Sequence, residues 1–196
     1  MSTTIQDGSG KGYQAKVDET NRLSIRGVTE DIQLESTVNG DNYFVGTPFL
    51  TQTSATENGL LFFTSSEDFS LFAKTFSSEA RYSTGGTFQN YLINIYIGIP
   101  ESSLTGSWID FTPPNLNFGS SKTLAGTFKY GNPAGATGFS GSPKIQLAFP
   151  INVYNQVATN LIVQKGQTVL LTVTPPTSNT SMPVQFGLAI GLLKNI

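Results

Sequence analysis

The chain contains no cysteine and no histidine. The first absence excludes disulfides and thiolate zinc sites, and the second excludes every mechanism that uses imidazole as a base or a ligand. Charge is also sparse: Asp, Glu, Lys and Arg make up 12% of the residues and the formal net charge is -2. There is no basic field to hold a phosphate backbone and no acidic tail to imitate one, so no nucleic acid is expected as a partner. No run of about 18 apolar residues occurs, so no membrane-spanning helix and no membrane partner are expected. The opening Met1-Ser2-Thr3-Thr4-Ile5-Gln6-Asp7 lacks the basic, apolar, small-residue order of a secretory signal. The expectation is a protein that stays inside the cell that makes it, or leaves by lysis or within a particle.

What is present is β-strand grammar. The 196 residues suit one all-β domain with an appendage. Residues 1–36 carry ten of the 24 charges, with few apolar residues among them. Tyr13, Ala15 and Val17 alternate, Asp18-Glu19-Thr20-Asn21 makes a turn, and Leu23 and Ile25 alternate again, which reads as a small hairpin. An isolated hairpin is marginal in water, so an arm of this kind needs another surface to lie on. The expected division is an extended arm over 1–36 and a β-sandwich over 37–196.

Beyond the arm the strands follow one another. Candidates run Asn42 to Gln52, Leu60 to Thr64, Phe69 to Tyr82 and Tyr91 to Ile99. In the last, Tyr91, Ile93, Ile95, Ile97 and Ile99 face one way and Leu92, Asn94, Tyr96 and Gly98 the other. The middle, Pro100 to Ser142, is rich in Gly, Pro, Asn and Ser. Pro113-Pro114 stops a strand over Trp108 to Phe111, and residues 131–138 read as an exposed loop. Further strands fit around Leu124 to Tyr130 and Ile145 to Val153. The closing third, Leu161 to Leu193, reads as a strand, a Lys165-Gly166 turn, a strand ended by Pro175-Pro176, a loop and a last strand. Eight or nine strands with no helical spacing predict an antiparallel jelly-roll β-sandwich.

No constellation in the sequence carries catalytic chemistry. Asp7-Gly8-Ser9-Gly10-Lys11-Gly12 fails as a phosphate loop because Ile5 stands where the first glycine belongs and Gly12 follows the lysine. It fails as a calcium loop because Lys11 occupies a ligand position. Glu30-Asp31 and Glu67-Asp68 are adjacent acids that point in different directions in a turn, and they read as surface or capping groups. No serine sits in a nucleophile elbow or three residues before a lysine. The chain is therefore expected to be neither an enzyme nor a holder of a cofactor or metal. Trp108, Tyr130 and Phe139, in the loose middle region, are the candidates for exposed aromatics on which a sugar ring would stack. Asn179-Thr180-Ser181 matches a glycosylation sequon and, with no secretory signal, reads as a loop.

Several of these stretches resemble structural proteins of tailed-bacteriophage particles, especially head decoration or cement proteins. Asp7 to Val17 followed by Asn21-Arg22-Leu23 is similar to a recurrent N-terminal segment of that family. Leu60-Leu61-Phe62-Phe63 leading to Glu67-Asp68, Ile95-Tyr96 before the turn at Pro100 to Gly106, and Lys165-Gly166 running to Thr174-Pro175-Pro176 resemble parts of its jelly roll. The family's Asn-Pro pair after the fourth strand is replaced by Ile99-Pro100. The resemblance implies a protein made in the bacterial cytoplasm and placed on the capsid surface of the virion. Its implied partners are the major capsid protein and further copies of itself, as a homotrimer. The contacts are implied to come from an arm carrying Tyr13, Val17, Arg22, Leu23, Ile25 and Arg26. The alternative is a receptor- or glycan-binding appendage such as a fibre tip. A bacterial surface or pilus sandwich is a weaker third, since a secretory signal is missing.

Overall fold

A computed structural model describes residues 5–6, 14–17, 23–24, 36–52, 56–67, 70–82, 89–131, 141–176 and 184–194. The chain forms two compact units, Met1–Ile32 and Gln33–Ile196. In the first, β1 (Ile5–Gln6), β2 (Gln14–Val17) and β3 (Leu23–Ser24) make a small antiparallel sheet in that order. The sequence-read hairpin corresponds to β2 and β3, paired through Lys16 with Ser24 and Val17 with Leu23.

Among the described residues the second unit has eleven strands: β4 (Asn42–Gly46), β5 (Leu50–Gln52), β6 (Asn58–Ser65), β7 (Leu71–Tyr82), β8 (Asn90–Ile97), β9 (Trp108–Asp110), β10 (Gly126–Gly131), β11 (Ile145–Pro150), β12 (Tyr154–Val163), β13 (Thr168–Thr174) and β14 (Val184–Lys194). One sheet runs β11-β8-β13-β6-β10-β9 and the other β12-β7-β14-β4, with β5 also on β14. Setting aside β5 and the β9–β10 pair leaves eight strands. Numbered along the chain, they lie in the orders 1-8-3-6 and 2-7-4-5, with all neighbours antiparallel. This is jelly-roll wiring. The β9–β10 pair is an insertion between the fourth and fifth of those strands, added to the edge of one sheet beside β6.

Period-two alternation turns one face of each sheet inward. Leu61, Phe63, Ile93, Ile95, Val169, Leu171 and Val173 from one sheet meet Tyr43, Val45, Phe76, Phe186 and Ile190 from the other. Ring contacts thread this core: Phe76 to Phe149 at 6.2 Å, Phe149 to Tyr91 at 5.8 Å and Tyr91 to Phe186 at 5.3 Å. Each such side chain contributes about 2–3 kcal/mol by leaving water. The buried Tyr91 hydroxyl is satisfied by Ser78 Oγ at 2.8 Å.

The strand boundaries depart from the sequence reading where local backbone chemistry intervenes. The expected strand Asn42 to Gln52 breaks at Pro48, which has no N–H to give a ladder, into β4 and β5. The expected strand Ile145 to Val153 stops at Pro150, because Asn152 takes a left-handed conformation (φ 63°) and its N–H goes to the Ala80 carbonyl. The last third therefore begins its strand at Tyr154 rather than Leu161. Gly126 opens β10 at φ 154°, with the Thr64 carbonyl oxygen 2.1 Å from where a Cβ would stand, so no other residue fits there.

Glu67 also departs from expectation. Read as a surface or capping acid, it is 7% exposed, and its two oxygens hold Lys194 Nζ at 2.6 Å and accept the Ala125 N–H at 2.6 Å. It thereby ties the end of β14 to the segment that leads into β10. Removing one partner of such a pair leaves the other charge buried and uncompensated. Glu67→Ala is expected to lower unfolding free energy by about 3 kcal/mol or more, read from the urea midpoint at constant slope.

Candidate functional site

The two sheets differ in what covers their outer faces. On the six-stranded sheet, Phe62, Leu170 and Tyr96 lie in one cross-strand row and are buried beneath residues 99–108, with Ile99, Leu104 and Trp108 packed on them. Trp108 meets Phe62 edge-on at 6.5 Å, and its Nε1 donates to the Thr105 carbonyl. Lys129 Nζ pins this covering segment through Asp110 at 2.8 Å and Glu101 at 3.0 Å, and these two hydrogen bonds raise the ammonium above its usual range. The sequence reading had Asn94 and Tyr96 on the face away from the core. They are on that face, but buried, because the chain folds back over it.

Next to that apolar row is a polar one, Thr172, Asn94 and Gln146. Glu57 closes it: one carboxylate oxygen accepts from Asn94 Nδ2 at 2.7 Å, from the Tyr96 hydroxyl at 3.0 Å and from Thr172 Oγ1. Asn94 Oδ1 in turn accepts from Gln146 Nε2 at 2.7 Å. Burial, then the hydrogen bond to Glu57, then that carboxylate's charge push the Tyr96 phenol up to about 12. The row holds polar groups that satisfy one another, which is a structural latch.

The five-stranded sheet presents its outer face uncovered among the described residues. Register sets the floor: Phe44, Gly191, Thr75 and Ala158 form one row across β4, β14, β7 and β12, and Gly46, Ala189, Ser77 and Gln156 the next. In a third row Gly187 lies beside Glu79, and Glu79 beside Tyr154. Glycine, alanine, serine and threonine fill the middle of these rows, so the sheet is hollowed there. The result is a trough of about 230 Å³ walled by Phe44, Leu116 and Gln156, followed by a second hollow of about 180 Å³ bounded by Phe49 and Tyr154. Phe49 lies over Gly187, and the Arg81 guanidinium stands 5.2 Å from its ring while pairing with Glu79 at 2.6 Å.

At the β4 edge of this face a loop carries a projecting side chain. The Pro114 carbonyl accepts from Phe44 N, and Leu116 N donates to the Asn42 carbonyl. Asn115 Oδ1 accepts from Asn117 N, Asn117 Oδ1 from Gly119 N, and Asn117 Nδ2 reaches the Val38 carbonyl. A Cβ at Gly40 would stand 2.3 Å from Ser120 Oγ, so the turn at 39–40 and the loop are in close contact. Lys122 fastens the loop's far end to both Asp41 oxygens at 3.1 and 3.2 Å. On this braced loop Phe118 is 92% exposed, with Val38 67% exposed nearby.

Of the residues singled out from sequence, Trp108 and Tyr130 are half-buried on opposite faces of the same sheet. Trp108 is part of the outer cover, packed on Phe62, and Tyr130 is packed on the main core with its ring 5.8 Å from Phe111. They do not share a groove, because Trp108 pairs in register with Gly131 and Tyr130 with Ile109. Phe139, Tyr13, Arg22, Ile25 and Arg26 lie outside the described residues, and Val17 and Leu23 are described as backbone of β2 and β3. Among the described residues the exposed aromatics are Phe44, Phe49, Phe118 and Tyr154, which were not singled out. Their signals were a small residue at every second place of Gly187, Ala189 and Gly191, and a phenylalanine set inside the turn-forming run Asn115 to Ser120.

Among the described residues no three carboxylates converge on a point that would hold a metal ion, and no helix is long and apolar enough to cross a membrane. Comparison with protein-family models, with curated proteins and with solved structures gave no match.

The Tyr96 environment sets an alkaline limit. Its phenol is held protonated in the folded state to about 12, whereas in the unfolded chain it ionises near 10. The folded state thus binds the extra proton, and this contribution is full below pH 10 and lost as pH rises toward 12. Unfolding free energy should fall by on the order of 2 kcal/mol over that interval, and Tyr96→Phe should make the fall shallower in urea titrations at several pH values.

Proposed function

We propose that this protein is a virion structural protein that binds the outer surface of a tailed-bacteriophage capsid as a decoration or cement protein, stapling neighbouring capsid subunits and stabilising the head. The observation that carries the reading is the outer face of the five-stranded sheet. Among the described residues it is a hollowed surface of small residues walled by exposed rings, with an aromatic knob at its edge, suited to being covered by protein. Contiguous exposed apolar surface beyond a few hundred Å² marks an interaction site in a soluble protein. The resemblance of Asp7 to Val17 and of the closing strands to decoration proteins supplies the kind of assembly.

In this reading the jelly roll is the body, and the segment bearing Tyr13, Val17, Arg22, Leu23, Ile25 and Arg26 supplies contacts to the shell. Short strands with open edges gain backbone hydrogen bonds by joining a neighbour's sheet. Arg22 and Arg26 add donors that fit the carboxylates of an acidic surface. The receptor- or glycan-binding alternative drew on Trp108, Tyr130 and Phe139; the first two lie on opposite faces of one sheet, and the third lies outside the described residues.

Purified protein added to capsid shells that lack it should bind saturably, reach copy numbers comparable to the major capsid protein, and raise the temperature at which the shells rupture. Replacing Arg22 and Arg26 by alanine should weaken binding by about tenfold or more. Absence of binding, or a handful of copies confined to one vertex or the tail, would overturn the reading.

A further inference from the structure

Phe118 and the trough lie on one molecule, side by side, as a projection and a hollow of matching chemistry. A cavity of about 150 Å³ holds a benzene ring, so the 230 Å³ trough has room for a phenyl group. Its floor at Gly191 and Ala189 carries no bulk, and a Cβ added at Gly191 would meet nothing within 4 Å. Phe118 cannot reach its own trough's floor while 92% of it stands in solvent on a loop fastened at Asn115, Asn117 and Lys122. A ring held in water at the end of such a brace is placed for a hollow on another molecule.

We infer that the occupant of the trough is Phe118 of a second copy of this chain, and that the outer face of the five-stranded sheet is a self-association surface. Charge selects the occupant. Among the described residues that line the trough none is charged, and beside it Glu79 is paired with Arg81, so a charged group entering the trough would lose its hydration and find no counter-charge there. Phe118 is a neutral, apolar side chain, and the cation near it, Lys122, is paired with Asp41.

Area is sufficient as well. At about 200 Å² for a full aromatic side chain, the exposed fractions of Phe118, Tyr154, Phe49 and Phe44, with Val38 and Ile162, expose on the order of 700 Å². A standard interface buries about 800 Å² per partner. Reciprocal insertion closes a pair, and head-to-tail insertion closes a ring; both bury the same residues.

The capsid reading rests on this same face being covered by protein, and this inference deepens it by naming a second copy as the cover; it is tested without a shell, so failure of self-association and failure of shell binding are told apart. Sedimentation equilibrium and light scattering of the full chain, from about 1 to about 100 µM, should show a discrete oligomer. Phe118→Asp, at an exposed position where the fold is indifferent, should weaken association by about 30-fold or more, the effect of losing a central anchor. Gly191→Leu, which fills the hollow from below, should do the same, with unchanged circular dichroism and urea midpoint in both variants. A wild-type chain that is monomeric throughout overturns the inference. So does an oligomer that survives both substitutions, and loss of association in only one variant overturns the pairing of knob with trough.

Discussion

The structure of the sandwich depends on the pairing of β14 along both its edges, with β7 on one side and β4 and β5 on the other. Because side chains alternate across a strand, one run of residues performs two tasks. Phe186 and Ile190 point inward into the core, Phe186 through its ring contact with Tyr91, while Gly187, Ala189 and Gly191 point outward and leave the hollow. A slip of one residue would put the small residues into the core and the large ones into the trough, so core and surface are specified together. Across the bulge between Gly191 and Leu192, Leu192 joins the core while Leu193 lines the trough. Lys194, at the strand's end, is fixed by Glu67.

The sandwich is two-sided in a second sense. Residues 99–108, which lead into β9, cover Phe62, Tyr96 and Leu170 on the outer face of one sheet and make a small second core, with the Glu57 latch beside it. Nothing comparable is inserted over the other sheet among the described residues. The same wiring thus yields one closed face and one open face. The open one exposes the rings of Phe44, Phe49 and Tyr154, an arrangement that costs solubility in an isolated molecule and is offset when the face is covered.

Much of the fold was legible because period-two alternation is a local property. Tyr91 to Ile95 and Val169 to Val173 declare strands without reference to their neighbours, and the Lys165-Gly166 turn declares its reversal through a glycine at φ 77°. Tyr96 and Asn94 show where local reading ends: their burial depends on residues 99–108 returning over the sheet, which no window around β8 contains. Glu67 is similar, since its partner is 127 positions away at Lys194. The candidate surface was least legible of all. Trp108 and Tyr130 drew notice by type and by lying in a loose region, yet the register of β9 against β10 sends them to opposite sides. Phe44, by contrast, sits in an ordinary strand pattern and becomes a wall only because β14 sets Gly191 beside it.

Rigidity decides how such a surface works. Forming an interface costs the entropy of every side chain and loop that must be ordered to make it. The loop bearing Phe118 has met that cost in folding: the turns of Asn115 and Asn117, the contact of Ser120 with Gly40 and the Lys122–Asp41 pair fix it. The trough is a sheet floor whose shape is set by backbone pairing rather than by mobile side chains. Both halves are therefore formed before contact, and the apolar area they remove from water goes largely into holding neighbours together. With 12% of its residues charged, the chain has little field to steer a partner, and preorganised apolar shape is the means of recognition that this face offers.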